Sequence, residues 1–156
     1  MKIIIMSDTH GNYPLALRAC EMAEPVDAII HLGDGAEDVQ LLEAVLSQPV
    51  ISVAGNCDSR STAPREFLWE TGGKRVLLVH GDRYGVKNDL SRLEQRGLQM
   101  AADAVFYGHS HHALVTNLSG MLFVNPGTLM DSETPTTFAI LEITSEGMSV
   151  RLMNIA

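Results

Sequence analysis

The sequence predicts a mixed α/β domain in which two β-sheets pack face to face with helices outside. Three observations point there. The first third alternates short apolar runs with segments of helical spacing, an order that requires parallel strands joined by crossover helices. The last third is almost entirely strand-like. No proline- or glycine-rich linker separates the two parts, so the 156 residues are expected to form one domain, 1–156, long enough to bury a sizeable core.

Taken in order, residues 3–6 (IIIM) form an apolar run of the buried-strand type, and Leu15, Ala19, Met22 and Ala23 then recur at helical spacing, with Pro14 suited to a first turn. A second run at 27–32 (DAIIHL) precedes a helical face of Val39, Leu42, Val45 and Leu46, and VISVA at 50–54 is a third run. REFLWE and KRVLLV flank Gly72-Gly73, which predicts a tight hairpin. Leu90, Leu93, Gly97 and Ala101 sketch another helix, interrupted by a glycine on its face. From AVFY at 104–107 onward come ALVTNL, MLFVN, TFAILEI and MSVRLMNI, with turn signals at Ser119-Gly120 and Glu146-Gly147. So many apolar strands are buried most simply as two facing sheets.

Composition narrows the function. Apolar residues are 46% and charged residues 19%, with no repeat and no low-complexity tract, which predicts a folded globular chain. The apolar stretches are too short to span a bilayer, and MKIIIMSD turns polar before a signal core develops, so a cytoplasmic protein without a membrane partner is expected. Cys20 and Cys57 suit a reducing compartment and are expected to be free thiols. A formal net charge of −8 argues against nucleic acid as a general partner, because such affinity comes from clustered Lys and Arg. An anionic ligand would need a local reversal of sign.

The residues at the ends of the apolar runs suggest that reversal. Asp8 and His10 come after IIIM, Asp34 after AIIHL, Asn56 after ISVA, His80 after VLLV, and His109 and His111 after AVFY. Each side chain alone has an ordinary explanation as a turn residue, a core histidine or a loop polar group. Their common position at strand ends does not. In open α/β sheets ligands bind beyond the carboxyl ends of strands, and the neighbouring glycines permit sharp turns there. His31, inside a strand, and His112, one step past the pair, are expected to be structural, and so is Cys20. Seven donors are too many for one tetrahedral zinc and too poor in oxygen for a calcium cage. Mixed nitrogen and oxygen donors suit Mn²⁺, Fe²⁺, Co²⁺, Ni²⁺ or Zn²⁺. Two ions sharing a carboxylate, with a bridging hydroxide, would leave the centre at about +1 and draw in a phosphate ester for metal-assisted hydrolysis.

The motifs resemble those of the calcineurin-like metallophosphoesterases, and most closely the short bacterial and archaeal phosphodiesterases of the YfcE type. DTH, GD at 33–34, GNCD, HG at 80–81 and GHSH occur in the order of that family, and NPGT at 125–128 is a further likeness. The resemblance implies a sandwich of two mixed sheets flanked by helices. It implies one metal on Asp8, His10, Asp34 and His111, and another on Asp34, Asn56, His80 and His109, with Asp34 as bridge. The cofactor expected is a pair of divalent ions, Mn²⁺ first among the candidates. The substrate expected is a small phosphodiester or other phosphate ester, contacted by Asn56, Cys57 and Arg83.

Two departures stand out. Cys57 occupies a position where many relatives carry a histidine that assists the leaving group, and GDGAED lacks the arginine of protein phosphatases. The rival reading is a non-catalytic interaction scaffold similar to the metallophosphoesterase-fold subunit of retromer coats. A nuclease of the same superfamily is disfavoured by the lack of a basic signature. Self-association remains open at this level.

Overall fold

A computed structural model describes residues 1–156. Its elements are β1 (Lys2–Met6), α1 (Tyr13–Ala23), β2 (Ala28–His31), α2 (Ala36–Val45), β3 (Val50–Ser52), β4 (Glu66–Thr71), β5 (Lys74–Val79), a 3-10 turn (Asp82–Tyr84), α3 (Ser91–Gln99), β6 (Ala104–Phe106), β7 (Leu114–Leu118), β8 (Met121–Asn125), β9 (Thr136–Thr144) and β10 (Gly147–Ile155). They form two five-stranded sheets, ordered β10-β9-β1-β2-β3 and β4-β5-β6-β8-β7. Strands β1, β2 and β3 are parallel, as are β5, β6 and β8. Both sheets also carry antiparallel strands, so each is mixed.

The period-2 alternation of side chains explains the layering. Ile3 and Ile5 of β1 face the other sheet, where they meet Val76, Leu78 and Phe106 in one apolar core. Ile4 and Met6 face outward, against Ala16, Ala19, Cys20 and Ala23 of α1 and Leu42 of α2. On the second sheet Leu77, Val79 and Val105 pack under Leu93 of α3. A strand buried on both faces must be apolar throughout, which is why IIIM and VLLV read as unbroken runs. Fully burying one such side chain stabilises by about 1.5–3 kcal/mol.

The hairpin between β4 and β5 turns at Gly72-Gly73, with φ of +55° and +75°, the pair of left-handed residues a type I′ turn requires. The glycine on the face of α3 also has a reason. A Cβ at Gly97 would stand 2.8 Å from Met121 Sδ, so the helix lies directly on the sheet. Two helix faces depart from the spacing. Met22 and Val45, expected on buried faces, are 50% and 57% exposed, because the apolar stripe of α1 runs through Ala16, Ala19, Cys20 and Ala23 and, of its apolar residues, α2 buries Val39 and Leu42. Leu90 and Ala101 lie just outside α3, as its N-cap and in the turn beyond it.

Candidate metal centre

The donors occupy the loops that leave β1, β2, β3, β5 and β6. Five of the seven have positive φ: Asp8 (+55°), His10 (+44°), Asp34 (+60°), His109 (+67°) and His111 (+65°). Such a conformation costs a non-glycine residue about 1–2 kcal/mol, so it persists only where the surroundings impose it. Here backbone bonds do so. Asp8 N–H donates to Gly33 C=O at 2.9 Å, His10 N–H to Asp34 C=O at 3.0 Å, and Gly108 N–H to His80 C=O at 2.9 Å. The loops are thereby tied to one another just past the sheet edges.

Two three-donor groups, Asp8–His10–His111 and Asp34–His80–His109, are joined by a third, His10–Asp34–Cys57. Asp34 faces both, with Oδ2 at 3.2 Å from His80 Nε2 and 3.7 Å from His10 Nε2, while its Oδ1 accepts the Cys57 N–H at 2.8 Å. Asp8 Oδ1 is 3.1 Å from His111 Nε2, 3.6 Å from His10 Nε2 and 3.8 Å from His80 Nε2. Asp8, Asp34 and His80 are buried. Burial alone would raise the Asp8 carboxyl, but His10 and His111 beside it, helped by His80 and Ser7, hold it well below the usual carboxylate range. Asp8 in turn raises His10 and His111. At His80 burial opposes ionisation, and Asp34 with Asp8 outweighs it and raises the ring. His109 is lowered, first by burial, then by His80 and Lys87.

These residues fit divalent ions on two independent grounds. His80 Nδ1 donates to Leu32 C=O at 2.7 Å, which leaves the lone pair of the neutral ring on Nε2. That lone pair faces Asp34 Oδ2, Asp8 Oδ1 and, at 3.2 Å, His109 Nδ1. The arrangement is repulsive unless a proton or a metal cation lies among the four atoms. His10 Nε2, likewise, is fully buried and lies beyond hydrogen-bond distance of any protein group. A buried polar atom without a partner is costly, and metal coordination is the partner its neighbours suggest. Glu133 Oε1, 3.3 Å from His111 Nδ1, is placed to orient that ring by its other nitrogen.

Several supporting residues had no sequence signal beyond ordinary turn chemistry. Asp58, the fourth residue of GNCD, accepts backbone N–H groups from Asp34 (2.7 Å), Gly35 (3.1 Å), Ala36 (3.0 Å) and Gly55 (2.8 Å). It caps α2 from another loop and clamps the Asp34 loop to the Asn56 loop. Asp38 accepts from Thr9 Oγ1 and Gly11 N–H at 2.5 and 2.9 Å. His31, expected to be structural, is buried behind them, with Gly33 N–H donating to its Nδ1 at 3.1 Å and Thr9 Oγ1 3.0 Å from its Nε2. In NPGT, Thr128 Oγ1 donates to Asp8 C=O at 2.8 Å and Asn125 Nδ2 to Ser110 Oγ at 2.9 Å, which fixes the first and last donor loops together.

Asn56 and Cys57 are exposed at the rim, with Asn56 Nδ2 3.6 Å from Cys57 Sγ. Burial, then Asp34, pushes the Cys57 thiol up. Arg83 is exposed on the 3-10 turn and does not line the cavity at the centre, and His112 is exposed as well. Cys20 is buried, and both cysteines are free. A cavity of about 850 Å³ opens from His10, Asp34 and Cys57 and runs between α2 and the loop 57–64. No helix is long and apolar enough to cross a membrane.

Two mixed sheets whose strand ends gather paired carboxylates and imidazoles define a metal-dependent phosphoesterase architecture. Residues 1–146 match the calcineurin-like phosphoesterase superfamily domain, and the chain belongs to that family. It is 32% identical to the probable metallophosphoesterase YsnB of Bacillus subtilis, over all of this chain and 92% of that protein. It is 29% identical to the phosphodiesterase YfcE of Escherichia coli K12, over 83% of this chain and 79% of the relative. The solved structure of Vps29 from Entamoeba histolytica, a zinc complex, shares the fold, with a TM-score of 0.80 and 21% identity over 99% of this chain and 98% of its own.

Proposed function

We propose that the chain is a phosphodiesterase that uses two divalent ions, one on Asp8, His10, Asp34 and His111 and the other on Asp34, Asn56, His80 and His109. The observation that carries this reading is the Nε2 lone pair of His80, pinned toward two carboxylates and a second histidine. When bound, such ions supply a positive charge for phosphate oxygens and a water of lowered pKa, the source of the hydroxide nucleophile, with Mn²⁺ the first candidate.

The chain's own residues do the rest. Leu32 C=O and Glu133 hold the His80 and His111 rings in coordinating orientation. Asp58 fixes the Asp34 carboxylate relative to Asn56 through backbone amides of both loops. In this reading Asn56 and Cys57 contact the substrate, and Arg83, exposed outside the cavity lining, does not. Hydrolysis forms a bond from water's oxygen to phosphorus and breaks the bond to one alcohol, which departs with a water proton and leaves a phosphomonoester. With Cys57 in place of the family's histidine, the departing alcohol depends on water for its proton.

Metal-stripped protein should hydrolyse bis-p-nitrophenyl phosphate only after Mn²⁺ or a similar ion is restored. Absence of any metal-dependent rate overturns the reading. Cys57, in place of the family's leaving-group histidine, favours a second reading, a non-catalytic scaffold, for which tight metal occupancy without turnover is the signature.

A further inference from the structure

We propose that the cavity beside the metal centre selects diesters whose alcohol portion is a small polyol and rejects nucleotides. This rests on the phosphodiesterase reading and names the substrate class. The cavity is continuous with His10 and Asp34, and its volume of about 850 Å³ lies within the range of small-molecule sites, about 300–1,000 Å³. Its lining decides what it holds.

One wall is α2, which presents Glu37, Gln40 and Glu43 at three-residue intervals. The other is the loop after GNCD, which presents Arg60, Ser61 and Thr62. Ser61 Oγ accepts the Ala63 N–H at 3.0 Å, so its hydroxyl proton is free to donate outward. Asp38 and Asp58 also reach the cavity, but their carboxylates are taken up by Thr9 and by backbone amides. The unspent charges in its lining are therefore two carboxylates and one guanidinium.

No aromatic side chain other than the imidazoles of His10 and His31 lines the space. A nucleobase there would forgo stacking, worth about 1–3 kcal/mol per base. A further phosphate would meet two carboxylates and only one guanidinium. A polyol suits both walls, because each hydroxyl donates to a carboxylate and accepts from a hydroxyl or guanidinium.

The test compares kcat/KM for bis(glycerol) phosphate and dithymidine monophosphate on the Mn²⁺-loaded protein, two diesters with alkoxide leaving groups of similar basicity. Bis-p-nitrophenyl phosphate serves as the control for diesterase chemistry. The glycerol diester should be favoured at least tenfold, and S61A/T62V should cut that ratio at least threefold. Should the double variant fold poorly, Gln40→Ala on the exposed face of α2 should lower the same ratio. Turnover of the control with a ratio below ten, or a ratio that neither variant moves, overturns the proposal and leaves the phosphodiesterase reading intact. If the control is not hydrolysed with any ion, the phosphodiesterase reading has failed. Calorimetric affinities of the two natural-type diesters then decide the cavity's preference by the same tenfold criterion.

Discussion

Gly108→Ala tests how tightly the donor loops are packed. A Cβ at Gly108 would lie 2.1 Å from Ser7 Oγ and 2.7 Å from Asp8 Oδ2. Carbon–oxygen contacts rarely close below about 3.3 Å, so Ser7 must move by roughly 1.2 Å and Asp8 by roughly 0.6 Å. Neither has room, since both are fully buried and Ser7 Oγ already donates to Asp8 at 2.5 Å. Movement of Asp8 also strains its bond from His109 N–H, now 3.1 Å. Overpacking of this kind costs about 1–3 kcal/mol, or roughly 3–9 °C of melting temperature for a chain of this length. The larger effect falls on the centre, where disturbing the support of a metal ligand typically costs about 10–100-fold in affinity or activity. Calorimetric titration of metal-stripped protein with Mn²⁺, beside melting curves in chelator, measures both. A variant that melts within a degree of the parent and takes up metal equally well refutes the reasoning.

Asp34→Ala should abolish retention of both ions and His111→Ala mainly one, read as metal per chain by elemental analysis. Because carboxylates raise His10, His80 and His111 above the ordinary histidine value of 6.5, protons compete with metal at higher pH than usual. Metal affinity should fall as pH is lowered, starting above 6.5, with proton release on binding measured in buffers of different ionisation enthalpy. The stability of the metal-stripped protein should run the opposite way. Raised folded-state pKa values stabilise fully below 6.5, and that contribution is lost as pH rises through them. Phe106→Ala, between the sheets, should cost about 3–5 kcal/mol by denaturant melt while leaving every metal donor in place.

Much of the fold was legible because buried parallel strands must be apolar on both faces and must stop abruptly. IIIM, AIIHL, VLLV and AVFY mark where the strands end, and the donors stand next in line. The hairpin at Gly72-Gly73 was legible from local backbone chemistry alone. The rest depends on contacts far apart in the chain. Asp58 and Asp38 carry the same local signal as any turn aspartate, and their partners are fixed only when separate loops meet. Met22 and Val45 misled because a short helix near a sheet buries only a narrow stripe, and helical spacing alone does not say which of two adjacent stripes it will be. The side chains of Asn56, Cys57 and Arg83 are set by loop conformation, which periodicity does not describe.

The donors divide between the layers. Asp8, His10, Asp34 and Asn56 come from loops of one sheet, and His80, His109 and His111 from loops of the other. The first sheet also requires β9, from the end of the chain, beside β1. On the proposed ligand sets, neither half of the polypeptide holds a complete coordination shell by itself. On those sets, ion capture during refolding has to wait until loops of both sheets meet, and a time-resolved metal signal should lag behind the growth of β-structure.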